Sequence, residues 1–407
     1  MKKKVLLLIV LSIFSFASLT LAEPALTGET DKPPVSYAPG EDMVFTVCLE
    51  DDGQPVEGVR LVWERTGDDG QTQGGEALSG QEPLRITTSL DTPGFVFIKV
   101  TAMDEAGKPL LRENKKTLEF KGGAGVLTEQ LQAVPEPGQF DAFWERQKAL
   151  LACEPMEILE MVPMPAENPN VDTWDVKISC PGGMPVSGYL SKPRGAAPKS
   201  STAKVYFMGY GVRSAQRKDG LAGYPAYPAL IFTINAHGIE NGRDPEYYKE
   251  LQASDLKGYA FDKEENAEPQ TAYFHGMALR VLRALEFVKS LPEWNGEALL
   301  ASGGSQGGLQ ALWAAGLDPD VTACHVSKPW CCDLGGVTLG RTQGWRPDDT
   351  PALGYYDPVY HARRIRCPVE IISGLGDDVC PPSGLSVLYN NIPAPRSIEY
   401  VQGMTHS

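Results

Sequence analysis

Ala298-Leu299-Leu300-Ala301-Ser302-Gly303-Gly304-Ser305-Gln306-Gly307-Gly308-Leu309 passes from a short apolar run, through a serine flanked by glycines, into a second apolar segment that continues to Ala315. The first run has the length and residue types of a buried strand, the second those of a helix. With 42 glycines in 407 residues, a bare Gly-x-Ser-x-Gly pattern carries little weight. At a strand-to-helix turn it carries more. There a nucleophilic serine sits on a strained backbone with its hydroxyl exposed, and side chains in place of Gly303 and Gly307 would collide with neighbouring elements. The helix beyond also points its first amides at the serine, where negative charge would develop.

A serine hydroxyl is a weak nucleophile near neutral pH and needs a base, and the base needs an orienting carboxylate. Both follow downstream. Val369-Glu370-Ile371-Ile372 reads as a strand, and Asp377 and Asp378 lie on the loop beyond it; Ser397-Ile398-Glu399-Tyr400-Val401 reads as the next strand, and His406 lies beyond that. The chain has five histidines, and of these only His406 follows the last expected strand. The order serine, acid, histidine is that of the α/β-hydrolases. Ser305, Asp377 and His406 are therefore the candidate triad, with Asp378 expected as a solvated or capping neighbour. His325, inside the strand-like Val321 to Val326, is expected to be packed; His237 follows a strand end and is a candidate to face the cleft. For the oxyanion, the backbone amide of Gln306 is one expected donor. The loop after Lys204-Val205-Tyr206-Phe207 offers the amide of Tyr210 as the second.

Working outward, short apolar runs alternate with amphipathic segments from about Pro135 onward: Ala229 to Ile234 as strand, Met277 to Leu291 as a helix ending before Pro292. This alternation implies a mostly parallel, covered sheet. Upstream, Met43–Val47, Val59–Trp63 and Gly94–Val100 alternate in character and are separated by Asp-Asp-Gly-type turns, as in an all-β immunoglobulin-like sandwich. The expected division is a leader at 1–22, a β-sandwich at 23–122 and an α/β-hydrolase domain at 123–407. The change of domain is placed at the glycine-rich Gly122-Gly123-Ala124-Gly125. The sandwich is read as a spacer or packing module, with carbohydrate binding the sharper alternative.

Lys2-Lys3-Lys4, an apolar run from Val5 to Phe16 and the small residues before Glu23 form an export signal; the expectation is a secreted or periplasmic protein with no membrane span in the mature chain. The net charge is −15, and loss of the leader's three lysines would leave −18. So acidic a chain is a poor partner for nucleic acid or anionic lipid. Eight scattered cysteines are read mainly as small buried hydrophobes, with disulfide pairing left open; Cys331-Cys332 lacks the two-residue gap of a redox motif. The histidines are too few and too dispersed for a zinc cluster, so no metal is expected.

From about Pro135 the chain resembles the acetyl xylan esterase and cephalosporin-C deacetylase family, the seventh carbohydrate esterase family. The resemblance rests on Phe140-Asp141-Ala142-Phe143-Trp144-Glu145, on Arg283-Ala284-Leu285-Glu286, on the full Gly303 to Gly308 elbow, and on Asp318-Pro319 with Pro329 and Cys332-Asp333. It rests too on Gly374-Leu375-Gly376-Asp377 with Cys380-Pro381-Pro382, which sets the register on Asp377. It implies deacetylation of acetylated sugars or xylo-oligosaccharides through an acetyl-enzyme on Ser305, without a cofactor. His237 and Trp330 are the candidate substrate contacts. The alternatives are a peptidase or general carboxylesterase of the same fold, and a catalytically silent glycan-binding protein.

Three departures stand out. His237-Gly238-Ile239 replaces an Arg-Gly-Gln signature, Met208 replaces a histidine in the oxyanion segment, and His406 is followed by Ser407 alone, so that either the sequence is a fragment or the base sits at a frayed end. Because the β-domain is an addition, the family's ring-like oligomers do not carry over directly, and homo-oligomerisation stays open.

Overall fold

The computed structural model describes residues 23–219 and 229–406; the expected leader lies outside them. The first eight strands are β1 (Ala25–Thr30), β2 (Met43–Asp51), β3 (Gln54–Pro55), β4 (Arg60–Gly67), β5 (Gln73–Leu78), β6 (Leu84–Thr88), β7 (Gly94–Met103) and β8 (Glu119–Val126). They form two four-stranded antiparallel sheets, one holding β1, β2, β3 and β6, the other ordered β5-β4-β7-β8. Alternation drives the arrangement: Met43, Phe45, Val47 and Leu49 of β2 and Val96, Ile98 and Val100 of β7 point inward to one shared core, as period-two strands of a sandwich must.

The expected boundary at residue 122 falls inside β8, which pairs with β7 from Glu119 to Val126. The glycines there serve close packing rather than a flexible linker. A Cβ on Gly123 would come within 2.7 Å of the Val96 carbonyl oxygen and 3.0 Å of the Leu375 carbonyl oxygen, the latter from the C-terminal half.

That half is built on one nine-stranded sheet: β9 (Ile158–Met164), β10 (Val171–Ile178), β11 (Val186–Pro193), β12 (Ser201–Phe207), β13 (Ala229–Ile234), β14 (Trp294–Gly304), β15 (Ala323–Ser327), β16 (Val369–Gly374) and β17 (Arg396–Val401). The spatial order is β17-β16-β15-β14-β12-β13-β11-β10-β9. The run from β13 to β17 is parallel, and β9, β10 and β11 join antiparallel. The helices are α1 (Phe140–Cys153), α2 (Pro245–Ala253), α3 (Tyr273–Ser290), α4 (Gln306–Leu317), α5 (Pro358–Ala362) and α6 (Pro382–Asn391). Val205, Phe207, Phe232, Ile234, Leu299 and Ala301 are fully buried on one face of the sheet, and β13 is buried at five consecutive residues, the pattern of a strand covered on both faces. α4 is buried almost all round, through Leu309, Ala311, Leu312, Trp313 and Ala314. Among the described residues no helix is long and apolar enough to cross a membrane.

Candidate active site

The parallel register sets the site. Phe207, the last residue of β12, pairs with Gly303 of β14, so the turn after β12 begins beside the elbow. On the other side Gly304 pairs with Ser327; Gly374, where β16 ends, pairs with Val401, where β17 ends. Five loops, after β12, β14, β15, β16 and β17, therefore leave the sheet at its C-terminal edge within a few residues of one another, which is where open parallel sheets assemble sites.

Ser305 stands between β14 and α4 with φ 54° and ψ −125°, a conformation that costs a non-glycine residue on the order of 1–3 kcal/mol. Its surroundings enforce it. The Ser305 amide donates to the Ser327 carbonyl at 2.9 Å, and its own carbonyl accepts from Leu309 at 3.1 Å and Trp330 at 3.0 Å. A Cβ at Gly303 would overlap the Gly307 backbone, and one at Gly307 the Phe207 carbonyl.

His406 Nε2 lies 2.9 Å from Ser305 Oγ and its Nδ1 2.9 Å from Asp377 Oδ2. Asp377 is fully buried; its Oδ1 accepts from the amides of Val379 and Cys380 at 2.9 and 2.8 Å. A carboxylate so held orients the ring with its Nδ1 proton toward Asp377 and its Nε2 lone pair toward the serine hydroxyl. The neighbouring Asp378 points away to Lys121 of β8 at 2.9 Å. The segment carrying His406 is tied down by Lys328, whose Nζ donates to the carbonyls of Thr405 and His406 at 2.8 Å each. Asp377, Cys380 and His406 also form a group compact enough for a metal ion, but His406 Nδ1 and both carboxylate oxygens of Asp377 are engaged in the bonds just described.

Among the described residues, the amides of Tyr210 and Gln306 donate to no protein acceptor. The Tyr210 ring packs against four aromatic side chains, Tyr259, Phe261, Trp330 and Trp345. The Tyr210 ring stacks on Tyr259 with centroids 4.2 Å apart. The Tyr259 hydroxyl accepts from the Gly211 amide at 2.8 Å and donates to Gln306 Oε1 at 2.9 Å, tying Gln306 to the residue that follows Tyr210.

His237 is buried, with Nε2 3.1 Å from the Gly211 carbonyl and Nδ1 2.5 Å from the Tyr273 hydroxyl. Nε2 must donate to the carbonyl, so the ring is the neutral Nε2–H tautomer accepting from Tyr273. Burial, reinforced by the charge of Arg280, pushes its pKa down to about 4. Both ring nitrogens are thus spent on holding the loop, and none is left for a substrate in the Ser305 cleft. Trp330, the other candidate contact, is also fully buried, its Nε1 donating to the Trp345 carbonyl at 2.6 Å. The indole that meets solvent is Trp345, which packs edge-on to Tyr210 with centroids 4.8 Å apart. His325 departs from expectation in the opposite sense: it is exposed and lies 3.5 Å from Glu370, because it falls on the outward face of β15.

Tyr259, Lys328 and Trp345 went unnoticed in the sequence, since each lies on an irregular segment with no motif of its own. The cysteines are free, and six of the eight are buried.

Sheet order, elbow and loop placement define an α/β-hydrolase. Residues 126–342 and 349–407 match the acetyl xylan esterase (AXE1) family, and the chain belongs to that family. Acetyl esterase Axe7A of Xylanibacter ruminicola is 29% identical over 278 residues, which make up 64% of this chain and 61% of that protein; the chain thus spans about three fifths of that relative's length. The fold is shared with an acetyl xylan esterase from Paenibacillus sp. R4, at 22% identity and a TM-score of 0.57 over 69% of this chain and 93% of that one. It is shared equally with acetyl xylan esterase 1 from Thermoanaerobacterium sp. JW/SL YS485, at 20% identity and a TM-score of 0.57 over 69% and 92%.

Proposed function

We propose that this protein is a serine esterase that removes acetyl groups from acetylated carbohydrate through an acetyl-enzyme on Ser305. The observation that carries the reading is the continuous hydrogen-bond chain from Ser305 Oγ through His406 to Asp377, in a member of the acetyl xylan esterase family.

The serine hydroxyl donates its proton to His406 Nε2 as Oγ attacks the acetyl carbonyl carbon. The carbonyl oxygen becomes an oxyanion and accepts hydrogen bonds from the amides of Tyr210 and Gln306. His406, now doubly protonated and stabilised by Asp377, gives the proton to the departing sugar oxygen. Water then adds to the acetyl-enzyme with His406 as base. Collapse of the second intermediate returns the proton to Ser305 and releases acetate. The positively charged leader, the apolar run and the small residues before Glu23 support action outside the cytoplasm, where acetylated glycans are met.

The reading is tested by comparing p-nitrophenyl acetate, butyrate and longer esters, together with acetate release from acetylated xylo-oligosaccharides. Strong preference for acetate and loss of both activities in Ser305→Ala are expected. Comparable rates on long acyl chains would assign a general carboxylesterase, and wild-type acetate release by Ser305→Ala would overturn the mechanism.

A further inference from the structure

Arg280 sits on the buried side of α3, 5% exposed, and among the described residues shares only with the buried Arg346, whose Nη1 and Nη2 donate to the Cys332 and Leu334 carbonyls, the lack of an ion pair. Arg65 pairs with Asp69, Arg283 with Glu286 and Arg341 with Asp333. Arg280 has no carboxylate partner among the described residues, and the undescribed stretch 220–228 contains no Asp or Glu. Its Nε and Nη2 both donate to the Ala236 carbonyl, at 3.0 and 2.7 Å. A carbonyl accepts hydrogen bonds without neutralising the charge. Burial without a counter-charge disfavours the charged form, and accordingly pushes the pKa of this guanidinium down.

The third nitrogen, Nη1, forms no hydrogen bond among the described residues. It looks across Gly276, where a Cβ would stand 3.3 Å from it. Gly276 and Arg280 line a pocket of about 450 Å³ together with Met184, His237, Leu251 and Tyr273. Asp255 is the one carboxylate in the lining, and no ion pair joins it to Arg280. None of Ser305, His406, Tyr210 and Gln306 lines this pocket; the packed rings of His237, Tyr259 and Tyr273 stand between.

We propose that this pocket binds the carboxylate of a small organic anion, with Arg280 as its counter-charge. The volume suits a ring-sized ligand, and an acidic sugar, a uronate, has both the charge and the size. Acetate, the product expected at Ser305, has the same charged group and would fill only part of the space. The ligand would replace the missing anion, so binding should be much stronger than for the uncharged analogue.

The test is calorimetric titration of the full chain with glucuronate, glucose and acetate. Glucuronate is expected to bind at least about tenfold more tightly than glucose, a difference of about 1.4 kcal/mol. Tighter binding of glucuronate than acetate assigns an acidic-sugar site, and binding of acetate alone assigns a product site. Arg280→Met should lose the preference for the anion. Because that variant also strips two hydrogen bonds from Ala236, Gly276→Val provides a second arm: it keeps Arg280 and places a side chain before Nη1, and it should weaken anion binding by a similar factor. Failure of both anions to bind, equal affinity for glucose and glucuronate, or unchanged affinity in the folded variants would overturn the proposal. Binding is read without ester turnover, so it stands or falls separately from the esterase reading.

Discussion

Gln402 is held at both ends of its side-chain amide by Gly123: Oε1 accepts from the Gly123 amide at 2.9 Å and Nε2 donates to the Gly123 carbonyl at 3.0 Å. Gln402 begins the short segment that carries His406, and Gly123 lies mid-strand in the N-terminal sandwich. The histidine is thus positioned partly by the other half of the chain. Gln402→Ala should lower kcat severalfold with KM little changed, and lower stability by about 1–3 kcal/mol, the usual cost of leaving a partner's groups unpaired. Steady-state kinetics and chemical denaturation measure the two effects, and an unaltered kcat would show that the sandwich does not position the histidine.

The two adjacent aspartates should separate sharply. Asp377→Asn replaces the group that fixes the His406 tautomer, and kcat on an acetate ester is expected to fall by about 10⁴-fold, as at comparable triads. Asp378→Asn breaks only the partly exposed contact with Lys121. Its effect should stay within a few-fold; similar losses in both variants would undo the assignment of the acid.

Tyr259→Phe removes the hydroxyl that joins the Gly211 amide to Gln306 Oε1. The proposed oxyanion donors, the amides of Tyr210 and Gln306, themselves remain. The expected loss is about tenfold in kcat, smaller than the 10²–10³ for deleting a donor, with little change in KM. A rise in KM at constant kcat would instead make Tyr259 a substrate contact.

Buried histidines make stability depend on pH. Burial pushes His237 down to about 4 and His361 down to about 3, against an unfolded value near 6.5. Below 6.5 the unfolded chain binds protons that the folded chain refuses. The contribution of the neutral rings is therefore complete above pH 6.5 and is lost progressively as pH falls toward 4 and then 3. Urea denaturation of wild type and His361→Gln between pH 4 and 7 should give a shallower slope for the variant, and parallel curves would contradict a neutral buried ring at that position.

Gly307→Ala tests the elbow packing. The new Cβ would press on the Phe207 carbonyl, and overpacking of this kind costs about 1–3 kcal/mol or more where backbone must move. Lower melting temperature together with reduced kcat is expected, since β12 and the Tyr210 turn would shift together. A variant as stable and as active as wild type would show that the elbow has slack.

Much of the catalytic half was legible because its signals are local. Gly303 and Gly307 around Ser305 announce a tight turn, and Asp377 and His406 each follow a short apolar run, so order along the chain stood in for position in space. Legibility ended where a role depends on the partner surface. Gly122 to Gly125 read as the point of domain change because the sequence cannot show that Leu375 and Gln402 press against that strand. His325 was expected to be packed, but a one-residue difference in register turns a side chain to the opposite face of a strand. Trp330 and Trp345 are equally aromatic, and only the folded chain distinguishes the buried indole from the one at the surface.

The close approach of Gly123 to Leu375 bears on how such an enzyme can be rearranged by recombination. A crossover placed at the glycine run, where the composition invites a cut, would leave the donor strand in one parent and its receiving loop in the other. A different sandwich spliced there would need glycine facing residue 375 and a free backbone amide opposite residue 402. The two halves are expected to be inherited, exchanged and engineered as a matched pair.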